Sequence, residues 1–413
     1  MTDSTAATNA SASATDTAPP MQGKRMLVLA PQPFFTPRGT PFSVYYRSLI
    51  TAELGFTIDL LTYGQGEDVD IPGVRVFRGP ALALFGEVKT GPSIAKIFHD
   101  ICMFFSYLYL IIKNKYEVVH AHEEAVFFAA FCKPIFDYKL VYDMHSSLPE
   151  QLDNFGYSRN RLLKRIFEFL ERRSLQRADA IITICPALQD QVQKLAPWAM
   201  AKHQLIENSI FDDVRLKRPP SDTQPIQASD YSGERASVVY AGTLEAYQGI
   251  DLLLEAVAEM TTKRTDFHLI IAGGRPDQVT DFEAQAKSLN VTQHCTFLGQ
   301  LAPKQARDLA SSASIILSPR SNGTNTPLKT YEQLACGVPL VATSIYSHTQ
   351  VLDSELAVLV PPTAAGLAEG ITRLLNDPAM GAALVERAKV HYETHYARPA
   401  YLRKLQTLLE LVV

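Results

Sequence analysis

From Arg25 onward the chain alternates between two hydrophobic rhythms. Short runs rich in apolar residues occupy 25–30, 57–62, 74–77, 117–120, 139–143, 180–183 and 204–206. Between them apolar residues return every three or four positions, near 42–54, over 94–113, near 124–133, over roughly 159–177 and over 186–195. Such runs suit strands buried on both faces, and the longer period suits amphipathic helices. The alternation predicts a doubly wound α/β sheet. Residues 212–234 interrupt it, with Pro219, Pro220 and Pro225 among Ser, Asp and Gln, and read as a linker. The rhythm then restarts, with strands expected at 237–241, 268–272, 295–298, 314–317 and 340–342. The helices of this half are expected at 250–260, 280–288, 303–310, 363–376, 377–392 and 398–412. The two halves share no sequence self-similarity, so they are two Rossmann-like domains (24–211 and 235–392) and not a repeat array. Ligands of open α/β sheets bind beyond the carboxyl ends of the strands, and two such domains facing each other form a cleft.

Composition narrows this. At 413 residues the chain exceeds one ordinary core. The net charge of −4 gives no reason to expect nucleic acid. Cys102, Cys132, Cys185, Cys295 and Cys336 are scattered, without a Cys-x-x-Cys pair. They read as thiols of a reducing, cytoplasmic compartment. Residues 1–23 are mostly small and polar and are expected to be a disordered tail. The most apolar stretch, 101–112, is too short to span a bilayer. Helix 94–113 nevertheless carries Phe98, Ile101, Phe104, Phe105, Tyr107, Leu108, Tyr109 and Ile112, more apolar surface than a half-buried helix needs. Helix 159–177 places Arg159, Arg161, Lys164, Arg165, Arg172 and Arg173 beside Leu162, Leu163, Ile166, Phe167 and Phe169. A solvated face over a core is the plainer reading of that pattern, and an anionic membrane surface is the other.

The densest chemistry lies in 319–343. An apolar run ends at Pro319-Arg320, a polar loop through Gly323, Thr324 and Asn325 follows, and Thr326-Pro327 suits a helix start. Gly337 and Pro339 stop that helix before the next apolar run. A helix end preceded by Gly and small polar residues, with Lys329 in its first turn, attracts phosphate. Glu332 follows where a carboxylate reaches sugar hydroxyls beside that phosphate.

This segment resembles the donor site of the family-4 retaining glycosyltransferases, which have the two-domain GT-B fold. Glu332 matches the second Glu of their paired-Glu motif, and Leu334-Ala335-Cys336-Gly337-Val338-Pro339 matches the stop that follows. Further resemblances run in the same order as in that family. They are Val118-Val119-His120-Ala121-His122-Glu123, Arg177-Ala178-Asp179-Ala180, Glu207-Asn208-Ser209, and Val239 through Gly249. The resemblance implies transfer of a hexose from a nucleoside diphosphate sugar, UDP-linked before GDP-linked, to an acceptor hydroxyl. It implies retention of configuration, with no metal and no further cofactor. It places His145 against the sugar and Glu332 on the ribose. The donor-binding residues expected with it are Gly39, Gly242, Thr243, Gln248, Arg320, Thr324, Asn325, Thr326, Leu328 and Glu332, with His145 and Lys329 as the catalytic pair. The last helix is expected to cross back onto the first domain.

Three positions depart from that pattern. Thr243 stands where the family has Arg, Gln248 where it has Lys, and Thr324 where it has the first Glu. A lost charge-assisted hydrogen bond costs about 1.5–3 kcal/mol if nothing replaces it. Lys329 and Arg320 are the expected replacements. Two other readings follow from the same residues: a binding subunit that partners an active transferase, and a nucleotide-sugar epimerase. His120, His122 and the neighbouring Glu123 and Glu124 have metal-ligand spacing, but the fold accounts for them without an ion. The acceptor is expected to be lipid-linked or at a membrane surface.

Overall fold

The structure, a computed structural model, describes residues 21–36, 39–80, 94–147, 161–211, 214–215, 217 and 224–413. The first domain runs β1 (Arg25–Ala30), α1 (Gly39–Glu53), β2 (Thr57–Thr62), β3 (Val74–Arg78), α2 (Ile94–Lys113), β4 (Val118–His122) and α3 (Ala125–Cys132). It continues through β5 (Lys139–Met144), α4 (Arg161–Arg177), β6 (Ala180–Thr183), α5 (Pro186–Leu195) and β7 (His203–Leu205). Its seven strands lie in the order β3-β2-β1-β4-β5-β6-β7. They pair in parallel, with Val28 opposite Leu60 on one side and His120 on the other. β4 is buried at every position, its two histidines included, as a strand covered on both faces requires.

The second domain begins with α6 (Ser229–Ser232), β8 (Ala236–Ala241), α7 (Ile250–Thr261), β9 (Phe267–Ala272), α8 (Pro276–Ser288), β10 (Cys295–Gly299) and α9 (Pro303–Ser311). Then come β11 (Ile315–Ser318), α10 (Leu328–Ala335), β12 (Leu340–Thr343), α11 (Tyr346–Thr349), β13 (Val358–Val360), α12 (Ala364–Asn376), α13 (Pro378–His395) and α14 (Arg398–Leu409). The sheet order is β10-β9-β8-β11-β12-β13. The first sheet is sandwiched between two layers. Val44 and Ile50 of α1 join Tyr401, Leu405, Leu408 and Leu409 of α14 on one face. Tyr107 of α2, Ala129 of α3, Leu175 of α4 and Leu188 of α5 cover the other. The last helix therefore does return to the first domain.

Several expectations need correction. Residues 1–20 of the expected tail lie outside the described residues, but Met21 is buried in the first core and its N–H donates to the Leu54 carbonyl. Residues 21–23 belong to the fold. The expected linker is also too long. Ala228 is buried in the second domain's core, with Ile226 packed against it, and Arg215 and Lys217 bond to the backbone of Asp70 and Asp68. Pro327 is the cap and not the first helical residue, with an extended ψ of 136°, so the helix begins at Leu328 and Thr326 is not the cap. α11 and β13 were not foreseen, because each spans barely one turn or one short run. Arg38 and Arg159 lie outside the described residues.

Candidate functional site

Two loops of the second domain come together over the ends of β8 and β11. After β8 the chain passes Gly242 and Thr243 to a short turn at Ala246–Gln248. Gly249 caps α7 with φ of 71°, and a Cβ there would lie 2.1 Å from the Pro319 carbonyl oxygen. Gly273, after β9, comes equally close to Gly242, where a Cβ would meet the carbonyl oxygen at 1.8 Å. Only glycine permits these approaches: the Gly249 contact locks the first loop against the loop that follows β11, and the Gly273 contact against the turn that follows β9.

That lock brings the departing residues together. The Lys329 Nζ lies 3.5 Å from Gln248 Oε1, and Gln248 Nε2 donates to Thr243 Oγ1 at 3.3 Å. The same ammonium stands 4.3 Å from the centre of the Tyr240 ring, whose hydroxyl donates to the Thr243 carbonyl. Arg320 donates to the Asn322 and Asn325 carbonyls and stacks 4.9 Å over Tyr247. Among the described residues neither cation has a carboxylate partner. Burial and the neighbouring Arg320 push the Lys329 ammonium down to about 7, and burial also lowers Arg320. Both stand beside the N-terminus of α10, whose first N–H groups have no acceptor within the helix. The Leu328 N–H is one of them.

Glu332 sits one turn further along α10. Burial raises its carboxyl, and the charge of Arg307 on α9 partly offsets this. Thr324 is exposed, and its carbonyl accepts from Gln350. Gln350 also accepts the Ala187 N–H at the start of α5, 2.7 Å away, so it spans both domains. Asn325 spans them too. Its amide donates to the His145 carbonyl at 3.2 Å and accepts from the Cys185 thiol.

On the first domain's side, His145 follows β5. Its Nε2 lies 3.2 Å from Asp143 Oδ1 and 3.1 Å from His122 Nδ1. Its Nδ1 is buried and has no partner among the described residues. Asp143 is fully buried. Burial alone would raise its carboxyl, but the Arg47 guanidinium at 2.7 Å, with His122 and His145 beside it, holds it well below the usual range. Arg47 also donates to the Tyr401 hydroxyl and the Ile206 carbonyl. His120, His122 and Asp143 bring their ligand atoms within 4.8 Å of one another. A dication there would face Arg47 across the shared carboxylate, so the cluster reads as an ion-pair hub beneath His145.

The expected site residues thus fall into groups. Gly242, Thr243, Gln248, Arg320 and Lys329 form one network. Asn325 and His145 meet across the domains. Thr326 and Leu328 lie in the turn and first position of α10, with Glu332 one turn on. Gly39 stands apart, at the start of α1, with open space over its Cα. Sequence reasoning missed Tyr240 and Tyr247 beneath the two cations, Gln350, and the Arg47–Asp143 pair. Arg47 alone left a signal, a cation within the apolar stripe of α1.

Two family profiles match the chain: "Glycosyltransferase Family 4" over residues 44–213 and "Glycosyl transferases group 1" over residues 223–391. The alpha-D-kanosaminyltransferase of Streptomyces kanamyceticus is 24% identical over 65% of this chain and 71% of its own length. One subunit of the human phosphatidylinositol N-acetylglucosaminyltransferase is 21% identical over 83% of this chain and 67% of its own length. The structure of Anabaena HepE in complex with UDP and glucose superposes with a TM-score of 0.66, at 16% identity, over 93% of this chain and 99% of that one.

Proposed function

The chain belongs to the family-4, group 1 glycosyltransferases with the GT-B fold, and from that premise we propose that it is a retaining hexosyltransferase using a UDP-sugar. One observation carries the reading. Two half-buried cations without carboxylate partners among the described residues, Lys329 and Arg320, stand at a helix N-terminus, and Asn325 of the same loop reaches His145, whose buried ring Nδ1 is unpartnered. A buried charge without a counter-ion is costly, and an anionic ligand offsets that cost. The diphosphate occupies the Lys329–Gln248–Thr243 network and the first N–H groups of α10. Lys329 thereby replaces the charges absent at Thr243 and Gln248. UDP is favoured over GDP because a relative in fold binds it.

The mechanism follows from these placements. The bond between the sugar's anomeric carbon and the β-phosphate oxygen breaks. The acceptor oxygen bonds to the same face of that carbon, and its proton passes to the departing phosphate oxygen. Negative charge grows on the diphosphate, where Lys329 and the helix dipole stabilise it. Glu332 holds the ribose hydroxyls. His145 meets a sugar hydroxyl with its unpartnered Nδ1. No step calls for a metal. Gln350 and Asn325 join the domains around the donor and limit hydrolysis.

The acceptor is a lipid-linked or glycoconjugate hydroxyl at the cytoplasmic face of a membrane. Lipid is favoured because the human relative's name refers to phosphatidylinositol. A thermal-shift screen of UDP, GDP and ADP with their sugars, followed by labelled-donor transfer, tests the proposal. UDP should give the largest shift, about 2.7 kcal/mol at a hundredfold excess over its dissociation constant. Binding without transfer or hydrolysis would identify a binding partner of an active transferase, and an altered sugar without acceptor an epimerase.

A further inference from the structure

The last turn of α13 carries His391 and His395, four positions apart and therefore on one face of the helix. Their ring centres stand 4.6 Å apart, with the planes tilted by 46°. Neither ring has a hydrogen-bond partner among the described residues, whereas His203, His268 and His348 each bond a hydroxyl. His395 is exposed and His391 half-buried, so the pair opens to solvent. Asp353, in the loop between α11 and β13, is near enough for its charge to act on His391. Burial and His395 lower that ring's proton affinity, and the Asp353 carboxylate works against them. One Asp353 oxygen accepts the Glu355 N–H at 2.8 Å, and the other is uncommitted among the described residues. Lys404 donates to the His395 carbonyl at 3.1 Å, but its charge is held by Glu207 at 2.6 Å.

We propose that His391 and His395 chelate a divalent ion of the zinc class, with Asp353 as a third, oxygen ligand. Imidazole nitrogens suit Zn²⁺, Ni²⁺ and Cu²⁺, while Mg²⁺ goes to oxygen-rich sites. Two imidazoles that share one ion have their nitrogens about 2.0–2.1 Å from it. Their ring centres then stand roughly 4.5–5.2 Å apart, for bond angles between square and tetrahedral. The observed 4.6 Å lies in that range, so the helix already sets the pair at chelating distance. Asp353 adds a contact from a second element and turns a two-point chelate into a clamp. The site has a structural consequence. Tyr396 follows His395 directly, and its ring lies 5.5 Å from that of His391 and 6.1 Å from that of His395. The same ring packs on Tyr331 of α10 at 4.8 Å, and the Tyr396 carbonyl accepts from Ser209 of the first domain at 3.2 Å. An ion at the end of α13 therefore fixes the turn through which the chain crosses to α14. Through Tyr396 it also stiffens the helix that carries Glu332.

The site lies outside the donor network, so its test is separate from the test of UDP binding and needs no activity. The full chain is stripped with chelator, dialysed, and titrated by calorimetry with ZnCl₂ and separately with MgCl₂. The titration is run near neutral pH, where the ligands are free of protons. One Zn²⁺ per chain is expected, with no binding heat from Mg²⁺. His391→Gln and His395→Gln should each weaken zinc about tenfold or more, and Asp353→Asn by a smaller factor. In chelator all three variants should melt with the wild type. Zinc should raise the melting temperature of the wild type and of neither histidine variant. Four results would overturn the proposal. They are no zinc binding, equal binding of Mg²⁺, one ion shared by two chains, and a zinc isotherm that either histidine substitution leaves unchanged. The last would place the ion on another cluster, such as His120, His122 and Asp143. Wild-type zinc affinity in Asp353→Asn would overturn the third ligand.

Discussion

Lys329 is the residue on which the proposed donor site turns. Its ammonium titrates near 7 because burial and Arg320 disfavour the charge. A bound diphosphate favours that charge and raises the value again. Between the free and bound values, donor binding therefore takes up a proton, and affinity falls as pH rises above about 7, by up to tenfold per pH unit. Calorimetry in two buffers of different ionisation enthalpy measures the uptake, and Lys329→Ala should abolish it. That substitution should also lower kcat more than it raises the donor's KM, since the contact strengthens as the phosphate leaves. Glu332→Ala should weaken UDP by about 1.5–3 kcal/mol in a folded protein. Calorimetry showing unchanged affinity would remove Glu332 from the site. That Glu332 and Lys329 share one short helix was legible in the chain because both belong to one local motif. Tyr240 and Tyr247 were not, since their role depends on loops far apart in sequence meeting.

At the scale of elements, the Arg47–Asp143 pair joins α1, β5 and α14 in one buried contact. Arg47→Met leaves the Asp143 carboxylate without its cation, and such removals cost about 3–5 kcal/mol. Urea unfolding should show that loss, where a surface pair would show almost none. The strands were readable from the chain because parallel sheets bury both faces, which turns each strand into a run rich in apolar residues. β13, three residues long, gave too short a run, and α10 starts one residue late because Pro327 takes the extended conformation. Arg47 finds a partner 96 positions away, and local pattern carries no information on such a pairing.

For the whole molecule, the proposed site meets the charge on a diphosphate with a lysine, an arginine and a helix end, all from the protein. Transfer should therefore persist in excess chelator. Full loss restored by Mn²⁺ or Mg²⁺ would reject that account. The two-domain plan was evident from the chain because its α/β rhythm stops and restarts. How the domains meet was not, because Gln350 and Asn325 are polar loop residues with nothing local to mark their reach.

The return of α14 to the first domain also bears on how the protein is made. A ribosome releases β1 through β7 well before residues 398–409. Until those residues emerge, the face that will receive Tyr401, Leu405, Leu408 and Leu409 stays open to water. Arg47 likewise waits for the Tyr401 hydroxyl. The second domain, with its own core and sheet, is complete in the interval. The order of folding therefore departs from the order of synthesis. The domain made first is finished last, and a nascent chain stalled before α14 presents an apolar strip that chaperones and proteases can reach.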